Sequence, residues 1–422
     1  MNQPIQRLVA ALDLGTTRVL AAIGDVTGDA RKPGVRVLGV GSERSVGIRR
    51  GVVRDMEEAT RAIGRALKDA QLMAGVEVGT LYCGIAGEHV AGRLSHGVVS
   101  ITGNEIRTAD VARVNEVAAN VAFSRDHELL HAVPQDYLVD QQGGITEPIG
   151  MIGSRLEAQV YLVTVLSSAL VNLQKCVERA GFRVGEFVLE PLAASLAALT
   201  PDERELGAGL IELGGGSTNV SVFQNGKICH TASLMFAGGH VTNDVVHGLQ
   251  VPQQDAERLK ETHGAAFEHL VSESETVAIP AGPGQAPRTA SRRVLAHIIH
   301  MRIQEIFELA LDELNRTGFR QRLAAGIVLS GGGAHMPGII ELAREVFALP
   351  VRVATPGSGS TGVGLSGLVD RVAMPRMTVP AGLLLYGAKQ ALQTGGFGTA
   401  TRRSPAVDKV IGPVKRWLQD FF

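Results

Sequence analysis

The chain is poor in aromatic residues: one Trp, four Tyr and twelve Phe in 422 residues. With 51 glycines, this suits an α/β protein with small core residues and many tight turns. Cysteine is also scarce. Cys83, Cys176 and Cys229 are scattered, odd in number and show no Cys-x-x-Cys spacing, so a disulfide framework is not expected. They read as ordinary thiols of a reducing cytoplasm. Charge of one sign is missing too. The net charge of −1 gives no reason to expect nucleic-acid binding. No apolar run reaches the ~18 residues of a membrane-spanning helix. The amino terminus, Met-Asn-Gln-Pro-Ile-Gln-Arg, runs straight into a strand pattern, so no signal peptide is expected. With 45 % hydrophobic and 20 % charged residues, the chain is globular and long enough for two to four domains.

What is present is one glycine turn written twice. Val9–Leu14 leads into Gly15-Thr16-Thr17 and a second apolar run to Gly24. Gly209–Leu213 leads into Gly214-Gly215-Gly216-Ser217-Thr218 and a run to Phe223. In each copy an acid, Asp13 or Glu212, stands two residues before the first glycine. Each reads as a β-hairpin whose turn displays backbone N–H groups and hydroxyls. Two such turns suggest a duplicated domain whose cleft holds a polyphosphate from both sides. A third segment, Ser330-Gly331-Gly332-Gly333-Ala334-His335-Met336, follows the apolar run 326–329 as a strand-to-helix turn.

Along the chain, three strands (8–12, 19–23, 35–40) precede a helix that Asp55 opens in a capping box with Glu58. That helix is expected to run to about Met73, before Gly75, and a strand follows at 81–85. The stretch 87–157 is a self-contained α+β insert, with a Gly/Pro-rich loop at 141–153. A strand (158–166), a helix ending at Gly181, a strand (185–190) and a helix (191–199) come next. Pro201–Glu205 reads as a polar hinge. The second copy has strands 209–213, 219–223 and 227–234, helices 240–249 and 252–263, a loop at 280–287 and a long helix 292–315. The core returns at 325–329 and 339–347. The segment 393–405 is a linker without apolar periodicity.

The three glycine turns, in this order, resemble the actin-like ATPase superfamily. That resemblance implies a duplicated ribonuclease-H-like α/β fold with ATP between the halves. The insert after the fourth strand and a terminal amphipathic segment narrow the likeness to the FtsA family of bacterial division proteins. His131–Tyr137, Asp202–Gly207, Asp255–Glu257 and Leu323–Leu329 read the same way, and the resemblance covers essentially the whole chain. It implies domain 1A at 1–86 and 159–203, an inserted α+β domain 1C at 87–158, and domain 2A at 204–238 and 316–392. Domain 2B falls at 239–315, a flexible linker at 393–406 and a membrane-targeting helix at 407–422. It implies a protein that polymerises on the inner membrane, anchors FtsZ at the cytoplasmic face of the septum and recruits later divisome proteins.

For the nucleotide, the resemblance places phosphate contacts at Gly15, Thr16, Thr17, Arg18 and Gly214–Thr218. Small residues are needed there because phosphate approaches the main chain closely. Arg18 either neutralises phosphate or points outward along its strand. Asp13 is expected to hold Mg²⁺ through water. Glu257 and Lys260 are placed at ribose and adenine, and Gly331, Gly332, Gly333 and Met336 at the adenosine. Glu190 resembles the segment that supplies a catalytic-side acid in related chaperone ATPases. Strongly hydrolytic relatives carry Asp where this chain has Glu212, and again where it has Asn219. Lengthening the acid by one bond, ~1.5 Å, misplaces it for in-line attack. Tight Mg·ATP binding with at most weak hydrolysis is therefore expected. In domain 2B, Arg288, Arg292, Arg293 and Arg302 either meet the FtsZ tail or form a solvated face.

At the carboxyl end, Val407, Val410, Ile411, Val414, Trp417, Leu418 and Phe421 follow helical spacing, with Lys409, Lys415 and Arg416 opposite and Phe422 last. Pro413 is acceptable in a first turn, so the firm helix is 413–422. An interfacial helix on an anionic lipid surface fits this pattern, and a partner groove is the alternative. Two other functions share the fold. A sugar or acetate kinase would need a carboxylate base in a polar substrate pocket. A pilus-assembly adaptor would bind through a partner's peptide rather than its own terminal helix.

Overall fold

The computed structural model describes residues 7–29, 32–103, 105–121, 123–279, 288–356 and 364–394. Both glycine turns close antiparallel hairpins. Leu8–Leu14 pairs with Arg18–Gly28, setting Asp13 opposite Leu20. Ala208–Leu213 pairs with Thr218–Gln224, setting Glu212 opposite Asn219. Each hairpin gains a third antiparallel strand on one side, Pro33–Arg44 or Lys227–Leu234. On the other side each gains two parallel strands. These are Thr80–Ile85 with Arg183–Leu189, and Gly326–Ser330 with Val351–Val353. The two sheets thus repeat one strand order and one set of directions.

Strand parity sets what faces what, because alternate side chains point to opposite sides of a sheet. In the first strand, Val9 and Ala11 face the core between the two sheets, while Ala10, Leu12 and Leu14 face the outer helices. In its counterpart, Ala208 and Leu210 face that same middle core, while Ile211 and Leu213 face away. Asp13 and Glu212 have the parity of the middle-core residues. They therefore project from the two sheets toward one another.

Two helices, Glu190–Ala198 and Thr378–Thr394, fill this middle core. The second was not anticipated from the sequence, because a helix apolar on nearly every side has no hydrophobic stripe to read. It changes the domain plan. Residues 316–392 do not all return to the second half. Strand Gly364–Gly367 pairs in parallel with Pro33–Arg44, and helix Thr378–Thr394 packs on the first sheet. The two central helices touch backbone to backbone: a Cβ on Gly382 would lie 1.9 Å from Ala193 O.

The insert is a four-stranded sheet, ordered Val90–Ser100, Arg155–Leu166, His127–Val139, Gln142–Ile145, with helix Thr108–Ala119 on one face. Its boundary at 158 is corrected, since Arg155–Leu166 is an interior strand of this sheet and cannot be divided. The supposed loop 141–153 contributes the short strand Gln142–Ile145. The insert also ties to the second half. Tyr161 Oη accepts from the Thr231 N–H at 2.9 Å, and Gln135 Nε2 donates to Ile228 O at 3.0 Å.

Local signals at helix ends were mostly legible. Asp55 caps Met56–Ala74 by accepting from the N–H groups of Glu57 (2.9 Å) and Glu58 (3.0 Å). The reciprocal half of the box is absent, because Glu58 pairs with Arg61 and the Asp55 N–H donates to Gly47 O. Gly75 ends the helix at φ 67°. The polar hinge is a helix, Pro201–Leu206, closed by a complete Thr200–Glu203 capping box. Arg352 bonds Glu203 at 2.6 Å and staples it further. The loop 280–287 and the linker and tail from 395 onward, with Val414, Lys415, Arg416, Trp417, Leu418, Phe421 and Phe422, lie outside the described residues. No helix among the described residues is long and apolar enough to cross a membrane.

Two glycine-to-alanine changes test this packing in opposite directions. Gly382→Ala drives a methyl into Ala193 O and is expected to lower stability by more than about 1 kcal/mol. Gly64→Ala, inside helix Met56–Ala74 with nothing within 4 Å of its Cβ, should raise stability by about 0.5–1 kcal/mol. Urea unfolding midpoints read both.

Candidate functional site

The two turns interlock. A Cβ on Gly15 would lie 2.7 Å from Arg18 O, and one on Gly214 would lie 2.7 Å from Ser217 O. The two copies thus share one tight geometry. A Cβ on Gly215 would sit 2.2 Å from Thr17 Cγ2, and one on Gly216 would sit 2.4 Å from Thr16 Oγ1. Any larger residue would push the turns apart. The carbonyls of Gly214 and Gly215 are taken by the Gly238 (3.0 Å) and Gly239 (2.8 Å) N–H groups at the start of helix Gly238–Leu249. The N–H groups of Gly15, Thr16, Thr17, Gly215, Gly216 and Ser217 have no acceptor among the described residues. Two sets of unsatisfied donors therefore converge, which is an anion-binding arrangement.

Beside them lies a cavity of about 480 Å³. Asp13, Glu190 and Glu212 line it, as do Glu257, Lys260, Gly331–Gly333 and Met336. Gly331, at φ 80°, brings its backbone against Leu213 O, and its N–H donates to Pro375 O at 3.1 Å. Gly332 has nothing within 4 Å of its Cβ position, so a flat group could lie over that backbone. Lys260 Nζ is held by Glu257 Oε2 (2.7 Å), Thr242 Oγ1 (2.9 Å) and Gly238 O (3.3 Å). It thereby ties helix Gln253–His263 to the second turn.

The three acids are costly neighbours. Burial raises the Asp13 carboxyl to about 7. Burial and the nearby Asp13 charge raise Glu212 to about 8. Burial, then Asp13 and Glu212, push Glu190 well above the ordinary range. Glu212 is 5 % exposed, whereas Asp13 and Glu190 remain partly open to the cleft. Asn219 and Ser330 flank Glu212 without satisfying its Oε2. Such a group holds protons at neutral pH unless positive charge arrives. Among the described residues, no three His, Cys, Asp or Glu side chains form a set able to hold a metal ion.

Nearly every residue picked for the nucleotide lines this cavity, Arg18 included. The Arg18 guanidinium extends along the neighbouring strand, 3.5 Å from Ser42 Oγ. Thr218 is a correction. It is fully buried, and its hydroxyl donates to Phe236 O at 2.7 Å, so it braces the turn from behind. The arginines of the second half are a further correction. Arg292 pairs with Glu275, Arg293 with Glu273, and Arg302 with Asp244 and Glu305, while Arg288 donates to Leu249 O. Each is engaged within its own domain, so the four are not a free basic patch. Sequence reading missed Ile303, Ile306 and the strap Met374-Pro375-Arg376, which come from distant segments without a motif.

Two topologically identical halves closing on paired glycine turns define an actin-like ATPase fold, and solved structures agree. The chain aligns with the PilM-PilN type IV pilus biogenesis complex at TM-score 0.63 and 15 % identity, covering 90 % of this chain and 98 % of that one. It aligns with MreB5 of Spiroplasma citri bound to ADP at TM-score 0.54 and 17 % identity, covering 93 % and 100 %. Residues 209–382 match the family described as Cell division protein FtsA, and residues 87–164 match the SHS2 domain inserted in FtsA. The cell division protein FtsA of Pseudomonas aeruginosa is 40 % identical over 99 % of this chain and 98 % of its own length. The FtsA proteins of Neisseria meningitidis (39 %) and Escherichia coli K12 (34 %) each match over 99 % of both chains. The chain belongs to the FtsA family of cell division proteins.

The acid cluster sets a pH dependence. A carboxyl raised in the folded state keeps a proton that the unfolded chain has already released. Its presence therefore lowers stability as pH rises from about 4.5 toward 8. In the ligand-free chain, Glu212→Gln should gain on the parent between pH 5 and pH 8. The expected gain is at least about 1 kcal/mol, the worth of one pKa unit. Paired urea titrations at the two pH values read the difference, and a constant gap would refute the assignment.

Proposed function

We propose that the cavity binds Mg·ATP, and that the chain acts as an actin-like, membrane-bound platform of the division septum. The observation that carries this reading is the interlocked pair of glycine turns, whose six free N–H groups face a cavity with an acid wall. Its size falls in the ~300–1,000 Å³ range of small-molecule sites. Gly15, Thr16, Thr17, Gly215, Gly216 and Ser217 hold the phosphates; Glu257 and Lys260 reach the ribose. Gly332, Gly333 and Met336 pack on the adenine, and Asp13 holds Mg²⁺ through water. Bound Mg·ATP supplies the positive charge that the three carboxylates lack and a polyanion that bridges the two turns.

Hydrolysis is slow in this reading. Glu212 sits in the first strand of the second hairpin, where its side chain is one bond longer than Asp and is misplaced for in-line attack. Asn219 carries no charge, and its Oδ1 already accepts from Ser233 Oγ at 2.7 Å. Steady-state turnover with Mg·ATP should stay below about 1 s⁻¹, the lower end of kinase rates. A faster rate in a phosphate-release assay would overturn the assignment of Glu212 and Asn219.

The remaining roles rest on family membership. The chain polymerises through its two halves, the terminal helix 413–422 lies on anionic lipid at the cytoplasmic face of the inner membrane, and the assembly holds the FtsZ tail and later divisome proteins. One terminal helix binds weakly, because ordering its backbone offsets most of the gain from burying its apolar face. A filament presents many and binds by avidity. Co-sedimentation with anionic vesicles in Mg·ATP should pellet the full chain and leave a chain ending before Pro413 in solution. Equal pelleting would remove the membrane-helix reading.

A further inference from the structure

Beside the nucleotide cavity, and continuous with it at the glycine turns, lies a second and larger hollow of about 1,130 Å³. It shares Thr16, Thr17, Arg18, Gly215, Gly216, Gly239, Glu257 and Glu261 with the first. Its wall on the first half is cationic, built by Arg18, Arg44, Arg49 and Arg50. Sequence position explains the crowding. Arg18 and Arg44 are directly opposed across the Arg18–Gly28/Pro33–Arg44 strand pair. Arg49 and Arg50 follow in the hairpin Ile48–Arg49/Val52–Val53.

Each of these placements is unfavourable in isolation. Like charges directly opposite on paired strands destabilise a sheet. Arg50 sits at φ 53°, in the left-handed region that a long side chain seldom adopts, just before Gly51 at φ 75°. No carboxylate relieves the cluster. Glu43, the nearest acid in sequence, is 3.6 Å from Arg65. Asp255, Glu257 and Glu261 lie on the facing wall and form no ion pair with these arginines, Glu257 being held by Lys260. Arg44 and Arg49 have no side-chain partner at all among the described residues.

A separate observation concerns the lining of the same hollow. Ser45 lines it, is 8 % exposed, and its Oγ has no hydrogen-bond partner. Its backbone is fixed, with the Ser45 N–H donating to Thr17 O at 3.0 Å. Arg50 is fixed likewise, its N–H donating to Thr16 Oγ1 at 2.9 Å. Buried hydroxyls are normally satisfied. Arg50 Nη2 also reaches Met235 O at 3.4 Å and Arg18 reaches Ser42 Oγ at 3.5 Å, but both contacts are long. An unpartnered hydroxyl lining the same hollow as four arginines is a donor set for an oxyanion.

We propose that Ser45 and the arginines 18, 44, 49 and 50 form a second oxyanion site, which takes a phosphate group at the mouth of the cleft. The site adjoins the nucleotide cavity, with Arg18 in both, while Arg44, Ser45, Arg49 and Arg50 line only the second hollow. Calorimetric titration of the full chain with inorganic phosphate, in the presence of saturating ADP, tests it. Saturable binding is expected. Arg44→Gln/Arg49→Gln should weaken phosphate at least tenfold while changing ADP affinity less than twofold. Arg49→Lys, which keeps the charge, should recover part of the loss, and Ser45→Ala should weaken phosphate without touching the charge. Unsaturable binding, or phosphate affinity indifferent to the double substitution, would overturn the proposal. Failure of ADP to bind would instead remove the nucleotide reading, and the phosphate titration would then stand on its own. Vesicles containing phosphatidic acid identify the source of the group. Equal vesicle binding by parent and double variant assigns it to free phosphate, and a loss parallel to the phosphate loss assigns it to a lipid headgroup.

Discussion

Everything in the cleft depends on the contact between two glycine turns from different halves of the chain. Gly215 stands where a methyl would penetrate Thr17, and Gly216 where one would penetrate Thr16. That approach is possible only because the two sheets repeat one topology and face each other across a shared core. Without close contact, the two groups of free N–H donors would be separate loops in water. In contact, they form one concave surface whose backbone dipoles point the same way.

The core beneath the turns makes the closeness hold. Helices Glu190–Ala198 and Thr378–Thr394 lie between the sheets and meet at Gly382 and Ala193 with no side chain interposed. The same packing backs the acids, of which Glu212 is buried. The first of these helices begins with Glu190 itself, so its dipole favours a negative charge there even as burial disfavours one. The ligand-free cluster is therefore stable in shape and unfavourable in charge, a combination that cation binding relieves.

Charge elsewhere follows a different rule. In the second half, arginines are matched by nearby acids on the same domain, as Arg302 is by Asp244 and Glu305. At the rim of the cleft the strand pairing sets Arg18 opposite Arg44, and the short hairpin adds Arg49 and Arg50 to the same wall, with no ion pair to any of the four among the described residues. The structure thus separates basic residues that serve their own domain from those available to something else.

The sequence by itself determined the duplication, the three glycine turns, most strands and caps, and nearly the whole nucleotide cavity. These signals are local: glycine where a backbone must come close, an acid at a fixed distance before it, Asp55 where four N–H groups need an acceptor. The tertiary structure decided what depends on partners far away along the chain. Helix Thr378–Thr394 has no stripe because the first sheet and helix Glu190–Ala198 cover it on more than one side, so its place on the first half was invisible. The interior strand Arg155–Leu166 looked like part of the flanking domain until its neighbours on both sides were known. Thr218 is chemically fit to bind phosphate, and only Phe236 O, eighteen residues on, shows that its hydroxyl is occupied. Likewise, arginines 288, 292, 293 and 302 and arginines 18, 44, 49 and 50 are alike as letters. Folding places partners beside the first set and like charges beside the second.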